Sequence, residues 1–237
     1  MESFRTQIKA KRITRIRKVG IMKILKLTLI ILMFPALLLA AETFDLGKFL
    51  LDMENSEKAI QNISFDFSQE IVFTLTKEKQ TSAGQVSFMK PGNIYVKQTK
   101  PIEQVIVSDG KKVWIYTPGY NQVISDNWKK WTKNSMIPDS LLNMNQNWPE
   151  LKKNYIFSYA GMEGKDRILL LTPAKKGGWK ISFWINEDNF SISRLLLSAD
   201  NIRITTYSYN YKINNSAMDK KLFKFSPPKG AEILKMD

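Results

Sequence analysis

The sequence predicts a mainly β, single-domain protein with an antiparallel sheet or barrel that is covered by helices. From Ile63 onward, short segments alternate apolar and polar residues, which is the period of strands with one buried face. Turn residues such as Ser108-Asp109-Gly110 and Pro118-Gly119 separate these segments, and this close spacing favours hairpins over alternating βα units. The succession of short strand candidates is interrupted once, between about Asn127 and Glu150, where the residues favour helix. We therefore expect about eleven strands and a helical insertion.

The first predicted strand is Ile63–Phe73, in which Ile63, Phe65, Phe67, Ile71 and Phe73 share one face. The later candidates are short and bounded by turn residues. They are Ala83–Met89, Asn93–Gln98, Gln104–Val107, Lys112–Thr117, Asn121–Ser125, Tyr155–Ala160, Arg167–Thr172, Lys180–Asn186, Ser191–Ser198, Ile202–Lys212 and Leu222–Phe225.

Two segments are predicted to be helical. From Thr43 to about Ser56, Leu46, Phe49, Leu50 and Met53 recur at i, i+3, i+4 and i+7 and form one apolar face. The insertion at 127–150 is rich in large apolar residues, and Pro138 suits a first helical turn. An apolar helical insertion in a β domain must cover something, so we place it over one end or face of the sheet, beside the first helix.

Residues 1–41 are predicted to be an N-terminal extension plus a signal peptide. Lys23 and Lys26 precede an apolar run, Leu27–Ala41, that ends in small residues, as in secretory leaders. The run is short for a transmembrane helix. An uncleaved membrane anchor is the alternative.

We expect cleavage after Ala40 or Ala41, which leaves residues 42–237 as one exported domain in the periplasm. Met22 begins an ordinary leader by itself. A translation start at Met22 is therefore the alternative to translation of residues 1–21.

The composition excludes several kinds of chemistry. The chain has no Cys and no His, so it has no thiol nucleophile, disulfide, Ser-His triad or imidazole metal site. The formal charge is +14, but nine Lys or Arg and one acid, Glu2, lie before residue 42. The remainder is only mildly basic, which does not predict nucleic-acid binding. We expect no cofactor, no metal and no catalytic residue.

Four segments are informative as a set because of their order and spacing. They are Phe65–Gln69; Gly84–Pro91 with Ile94 and Val96 after it; Pro101 with Gln104–Lys111, Val113–Tyr116 and Pro118; and Phe223–Gly230. In the order and spacing of these segments, the chain resembles the LolA family of periplasmic outer-membrane lipoprotein carriers from about residue 44 to 230.

The resemblance implies an unclosed antiparallel β-barrel with a concave apolar face and a helical lid. It also implies a soluble, monomeric, non-enzymatic carrier. Such carriers take acylated lipoproteins from an inner-membrane ABC transporter and deliver them to an outer-membrane receptor. The tail after Gly230 is brief, so the extended C-terminal element of some members is expected to be missing.

One position departs from the family pattern. The family usually has Arg before the Pro of the second segment, where it helps to hold the lid to the sheet, but this chain has Lys90. Arg presents a planar fork that can bond several carbonyls, whereas Lys presents a compact point charge. Lys90 is thus the lid-latch candidate, with looser closure expected. An ordinary solvent-facing Lys is the alternative.

Residues of one strand that share parity point to the same face. On this basis we predict a lipid-binding cavity and an apolar lid over it. The cavity residues are Phe65, Phe67, Val86, Phe88, Ile94 and Val96, and the lid residues are Ile137, Leu141, Leu142 and Met144. The alternative is that these side chains form a filled core. Parity is undecided for Val105–Val107 and Val113–Tyr116, because every residue in them is apolar.

The cluster Trp128-Lys129-Lys130-Trp131 has two interpretations. The two Trp anchor the lid in the core, or Trp and Lys together meet a membrane surface or a partner. At the level of function, the alternatives to a lipoprotein carrier are a related carrier of another lipid or glycolipid, and a non-enzymatic sensor or interaction module.

Overall fold

Residues 44–134, 149, 151–214, 216 and 218–235 are described by the computed structural model of the protein. The helices are α1 (Leu46–Ala59), α2 (Trp128–Asn134) and the 3₁₀ helices η1 (Pro118–Tyr120) and η2 (Lys220–Phe223). The strands are β1 (Asn62–Phe73), β2 (Lys79–Met89), β3 (Asn93–Lys100), β4 (Gln104–Asp109), β5 (Lys112–Thr117), β6 (Gln122–Asn127), β7 (Tyr155–Glu163), β8 (Asp166–Pro173), β9 (Lys180–Asn186), β10 (Ile192–Ala199), β11 (Ile202–Ile213) and β12 (Glu232–Lys235).

The twelve strands form one unclosed sheet in the order β12-β6-β5-β4-β3-β2-β1-β11-β10-β9-β8-β7. All neighbours are antiparallel except β12, which pairs in parallel with β6. β1 joins the two halves, because it pairs with β2 on one side and with β11 on the other. The prediction of a mainly β, unclosed antiparallel sheet with about eleven strands is therefore confirmed. All of these elements belong to one unit, Leu46–Asp237.

One face of the sheet, called the inner face here, is the one against which α1 packs. The Phe49 ring lies 5.5 Å from the Phe190 ring and 5.8 Å from the Arg167 guanidinium carbon. Phe49 and Met53 are buried and lie on the apolar helix face that the sequence predicts. Arg167 lies opposite Ile185, which is fully buried, so this helix covers the β8–β9 part of the inner face.

The opposite, outer face is covered over β4–β6 by the segment that follows η2. The Phe225 ring lies 6.1 Å from those of both Trp114 and Tyr116. Beneath it, Val107 and Val123 are fully buried. Strands β4–β6 therefore carry apolar residues on both faces, and those of the outer face are covered.

The predicted strand at Leu222–Phe225 is wrong. Asp219 caps a 3₁₀ turn instead, since its side chain accepts a hydrogen bond from the Lys221 amide at 2.8 Å. Phe223 is buried in the turn. Short as the tail after Gly230 is, it adds the edge strand β12.

Leu27–Ala41 and the cleavage positions lie outside the described residues. Within the described ranges, no helix is both long and apolar enough to cross a membrane.

Candidate functional site

A continuous row of apolar side chains crosses the inner face from β1 to β6. Each member lies directly opposite the next in the strand register, and each is only partly buried. The row, called the apolar row here, consists of Phe65, Val86, Val96, Ile106, Ile115 and Ile124. Leu234 of β12 continues it at the edge and is exposed.

A second, shorter row lies beside it. Ile63, Phe88 and Ile94 are in register and partly buried. Further along, this row reaches Ser108 and Val113, which are fully buried. The partly open apolar surface is therefore two residues deep over β1–β3 and narrows toward β6.

The β8–β11 half of the inner face is different, because it is a filled core. Seven apolar side chains on this half are at most 3% exposed. They are Leu169, Leu171, Ile181, Phe183, Ile185, Leu197 and Ile204. A well-packed core leaves no room for a ligand. The half of the sheet that can receive an apolar ligand without unpacking is thus β1–β6.

The structure places all six predicted cavity residues on the inner face. Five of them belong to the two partly open rows, while Phe67 is buried opposite Gly84 and Ser208. That they bind lipid stays a prediction. Ile137, Leu141, Leu142 and Met144, the predicted lid residues, lie outside the described residues.

Sequence reasoning missed Ile106 and Ile115 because both faces of β4 and β5 are apolar. It missed Ile124 because the adjacent Val123 is also apolar and points to the opposite face. The β4–β5 hairpin decides the parity. Ser108 pairs with Val113 across a turn in which the Asp109 carboxylate accepts from the amides of Lys111 and Lys112. Counting back from that turn would have placed Ile106 opposite Ile115.

Lys90 lies at the end of β2 and reaches the C-terminus of α1. Its Nζ donates to the carbonyl oxygen of Glu57 at 2.8 Å and of Lys58 at 3.3 Å. The last carbonyls of a helix have no partner within it and carry partial negative charge, so a cation is stabilising there. Asn214, the residue after β11, supports the same end, because its side-chain amide donates to the Ala59 carbonyl at 3.2 Å.

The neutral substitution Lys90→Met is expected to loosen the C-terminal turn of α1 by about 1–2 kcal/mol, because two carbonyls lose a charged donor. Faster hydrogen exchange of the α1 amides, relative to those of the sheet, would measure this. Lys90→Arg should retain the protection. Lys58→Met removes an exposed positive charge from the same turn, together with its pair with Glu54, and serves as the control for the loss of charge alone. Unchanged exchange in Lys90→Met would contradict the expectation.

Tyr211 stands beside the apolar row. Its ring lies 5.0 Å from that of Phe65, and its hydroxyl donates to the Ile192 carbonyl at 2.5 Å. Burial raises the pKa of Tyr211 to about 12. The phenol therefore stays protonated, and it closes the apolar row on the β11 side as a neutral group.

Alkaline unfolding should report this burial. The folded pKa lies above the ordinary value of 10.0, so the unfolded chain loses the Tyr211 proton first. The stabilisation is fully present below pH 10 and is lost as the pH rises to about 12. We expect a loss of roughly 2–3 kcal/mol in wild type that is absent in Tyr211→Phe. Denaturant titrations of both proteins at several pH values measure the difference, and parallel pH profiles would contradict it.

Trp128 is buried at the start of α2, and its ring stacks on that of Trp131 with 5.3 Å between centroids. This packing favours the interpretation in which the two Trp anchor the insertion. Asn127 begins the helix, since its side chain accepts from the amides of Lys129 and Lys130. Within the described chain, no group of three Asp or Glu residues is placed to hold a metal ion.

These features define a class: a one-sheet β protein in which a helix covers part of the inner face and an apolar row stays partly open. The sequence model of a family described as outer membrane lipoprotein carrier protein LolA matches residues 58–226. The chain belongs to this family, and the resemblance in its sequence motifs is confirmed.

Individual relatives agree. The chain is 29% identical to the outer-membrane lipoprotein carrier protein of Dechloromonas aromatica over 75% of this chain and 83% of that one. It is 27% identical to that of Nitrosospira multiformis over 77% and 84%. An uncharacterized conserved protein from Thermus thermophilus has a similar fold, with a TM-score of 0.53, 12% identity, and coverage of 81% of this chain and all of that one.

Proposed function

We propose that this protein is a periplasmic carrier that shields the acyl chains of lipoproteins against its apolar row. In this proposal an inner-membrane ABC transporter loads it and an outer-membrane receptor unloads it. The observation that carries the proposal is the contrast between the two halves of the inner face, one filled and one partly open. Membership of a family of lipoprotein carriers supports the choice of cargo.

The chemistry of the row suits a carrier and not an enzyme. All six members are hydrocarbon side chains, aligned across six adjacent strands. The residues that meet an acyl chain there offer it no nucleophile, acid or base. Non-directional apolar contact accepts chains of different length and saturation, as a carrier of many lipoproteins requires.

Magnitudes restrict the mechanism. Burial of one CH₂ group is favourable by roughly 0.8 kcal/mol, so complete burial of several long chains would make release very slow. A row that is open along β1–β6 and narrows toward its edge covers chains only in part. Net affinity then depends on the difference between ligand-bound and ligand-free arrangements of the cover. We assign the cover of the row to Ile137, Leu141, Leu142 and Met144, beside α1, with Lys90 as the latch.

Native mass spectrometry of the protein purified from the periplasm, after co-expression with lipoproteins of the same cell, tests the proposal. We expect a complex whose added mass equals that of an acylated lipoprotein. Ile94→Glu, which places a carboxylate in the second row, should be recovered folded and without cargo.

Other outcomes separate the alternatives. A bound free lipid or glycolipid in place of a lipoprotein would identify a carrier of another cargo. Wild-type protein that is empty under these conditions, while a known lipoprotein carrier handled in parallel is loaded, would overturn the proposal and favour a sensor or interaction module.

A further inference from the structure

A small pocket lies away from the apolar row, at the corner of the sheet where β7 begins and β8 ends. Its volume is about 250 Å³. Its polar lining comes from Lys153, Asn154, Tyr155 and Lys175, and Gly177 closes one side. Pockets that enclose drug-sized ligands occupy roughly 300–1,000 Å³. This one suits a headgroup or a small ion and not an acyl chain.

A backbone hydrogen bond and a glycine-containing loop shape this pocket. The Ala174 amide donates to the Asn154 carbonyl at 2.8 Å and joins its two walls. Gly177 and Gly178 have φ values of +85° and +88°, which side-chain-bearing residues rarely adopt. Nothing lies within 4 Å of the place where a Cβ of Gly177 would be. The loop therefore presents its main chain to open space at the pocket.

Among the residues that the structure describes, the side chains around the pocket carry net positive charge. Lys153 and Lys175 are both exposed, as are Lys176 and Lys180 nearby in sequence. In the described chain none of these four lies within 4.0 Å of an acid, whereas Lys165 is paired with Asp188. The described lining residues include no acid. Two like charges at one small pocket repel each other, and a bound anion would relieve that repulsion.

Tyr155 adds a neutral hydrogen-bond donor. A phenol keeps its proton at physiological pH, and burial raises the pKa of Tyr155 further above its ordinary value. Two ammonium groups, a phenol and the Asn154 side chain together supply donors of the kind that a tetrahedral oxyanion accepts.

We propose that the pocket between Lys153 and Lys175 binds a phosphate group, carried either by an anionic lipid headgroup or by a soluble phosphate ester. The site is separate from the apolar row and does not depend on which cargo that row binds. With a lipid headgroup as ligand, it would hold the β7–β8 corner against an anionic membrane surface while the apolar row exchanges cargo.

Vesicle co-sedimentation with the protein purified after export tests the lipid source. We expect binding to phosphatidylcholine vesicles that contain phosphatidylglycerol, and much weaker binding without it. Basic residues near an anionic surface contribute about 1 kcal/mol each, so Lys153→Ala with Lys175→Ala should weaken binding about tenfold or more. Lys220→Ala with Lys221→Ala removes the same charge from η2 and should change binding less than about twofold.

Titration with inorganic phosphate and with glycerol 3-phosphate, followed by amide NMR shifts, tests the soluble source. We expect shifts centred on Gly177 and Ala174 in wild type and none in the Lys153/Lys175 variant. Shifts without a vesicle preference would assign the site to a soluble ester, and a vesicle preference that glycerol 3-phosphate competes away would assign it to a headgroup.

Equal loss of vesicle binding in both double variants, or no pocket-centred shift together with no vesicle preference, would overturn the proposal. Cargo recovery in the native mass measurement should be the same for the Lys153/Lys175 variant as for wild type. Failure of the phosphate site is thereby distinguishable from failure of the carrier function.

Discussion

Val86→Glu is expected to abolish binding of acyl chains while the protein stays folded. Val86 occupies the row between Phe65 and Val96, directly opposite both. A carboxylate there must either stay hydrated, which keeps water in the row, or be buried without a partner, which is costly. We expect binding of a fluorescent fatty acid to weaken by roughly 100-fold or more, since the loss of a few kcal/mol has that effect.

The neighbouring substitution Gln85→Glu is the matched control. Gln85 is exposed, and its side chain points to the outer face, because successive strand residues alternate. Gln85→Glu introduces the same acid one residue away from Val86. We expect this variant to bind the fatty acid as wild type does. Since Val86 is itself partly exposed, the new carboxylate can reach solvent in the free protein, and the far-ultraviolet spectrum and melting temperature should change little. Equal fatty-acid affinity of the Val86→Glu and Gln85→Glu proteins would show that the apolar row is not the ligand site.

Gly84→Ala is expected to have the largest effect on stability. A Cβ at Gly84 would lie 2.2 Å from the Lys97 carbonyl oxygen and 2.8 Å from the Gln98 Cα. Both are backbone atoms of β3 and cannot rotate away. The strand register also shifts between Ala83 and Gly84, so the irregularity that lets β2 and β3 approach is built on this glycine.

Separating β2 from β3 would break the sheet in its centre and disrupt the apolar row at Val86 and Val96. We expect a loss of about 3 kcal/mol or more in unfolding free energy, measured by denaturant titration. Gly119→Ala is the control, because nothing lies within 4 Å of its Cβ position and its φ is not positive. If the Gly84→Ala and Gly119→Ala proteins had the same free energy of unfolding, β2 and β3 could accommodate the methyl group without loss of stability, and the prediction would be wrong.

Much of the architecture could be predicted because its signals are local. Strands such as β1 and β2 alternate apolar and polar residues, and one buried face requires this. The face of α1 likewise follows from the spacing of Phe49 and Met53, both of which are buried. Order and spacing of the four motifs sufficed to identify the family.

Other features depend on contacts between residues far apart in the chain. Leu222–Phe225 has a strand-like pattern, but Leu222 and Phe223 belong to a 3₁₀ turn. Phe225, which follows the turn, packs on Trp114 and Tyr116 of the outer face. Because Phe225 covers apolar side chains on the outer face, β4 and β5 carry apolar residues on both faces. Apolar and polar residues therefore do not alternate in these two strands. Without that alternation, no local signal in the sequence places Ile106 and Ile115 in the row.

The sequence by itself determined the class of fold, the family, and the parity of β1, β2 and β3, because each depends on residues close together in the chain. The tertiary structure decided which half of the inner face is filled and which is open. It also decided that Lys90 meets the carbonyls of Glu57 and Lys58. The physical reason is that burial and hydrogen-bond partners depend on which distant segments the sheet brings together, and no period in the sequence records that choice.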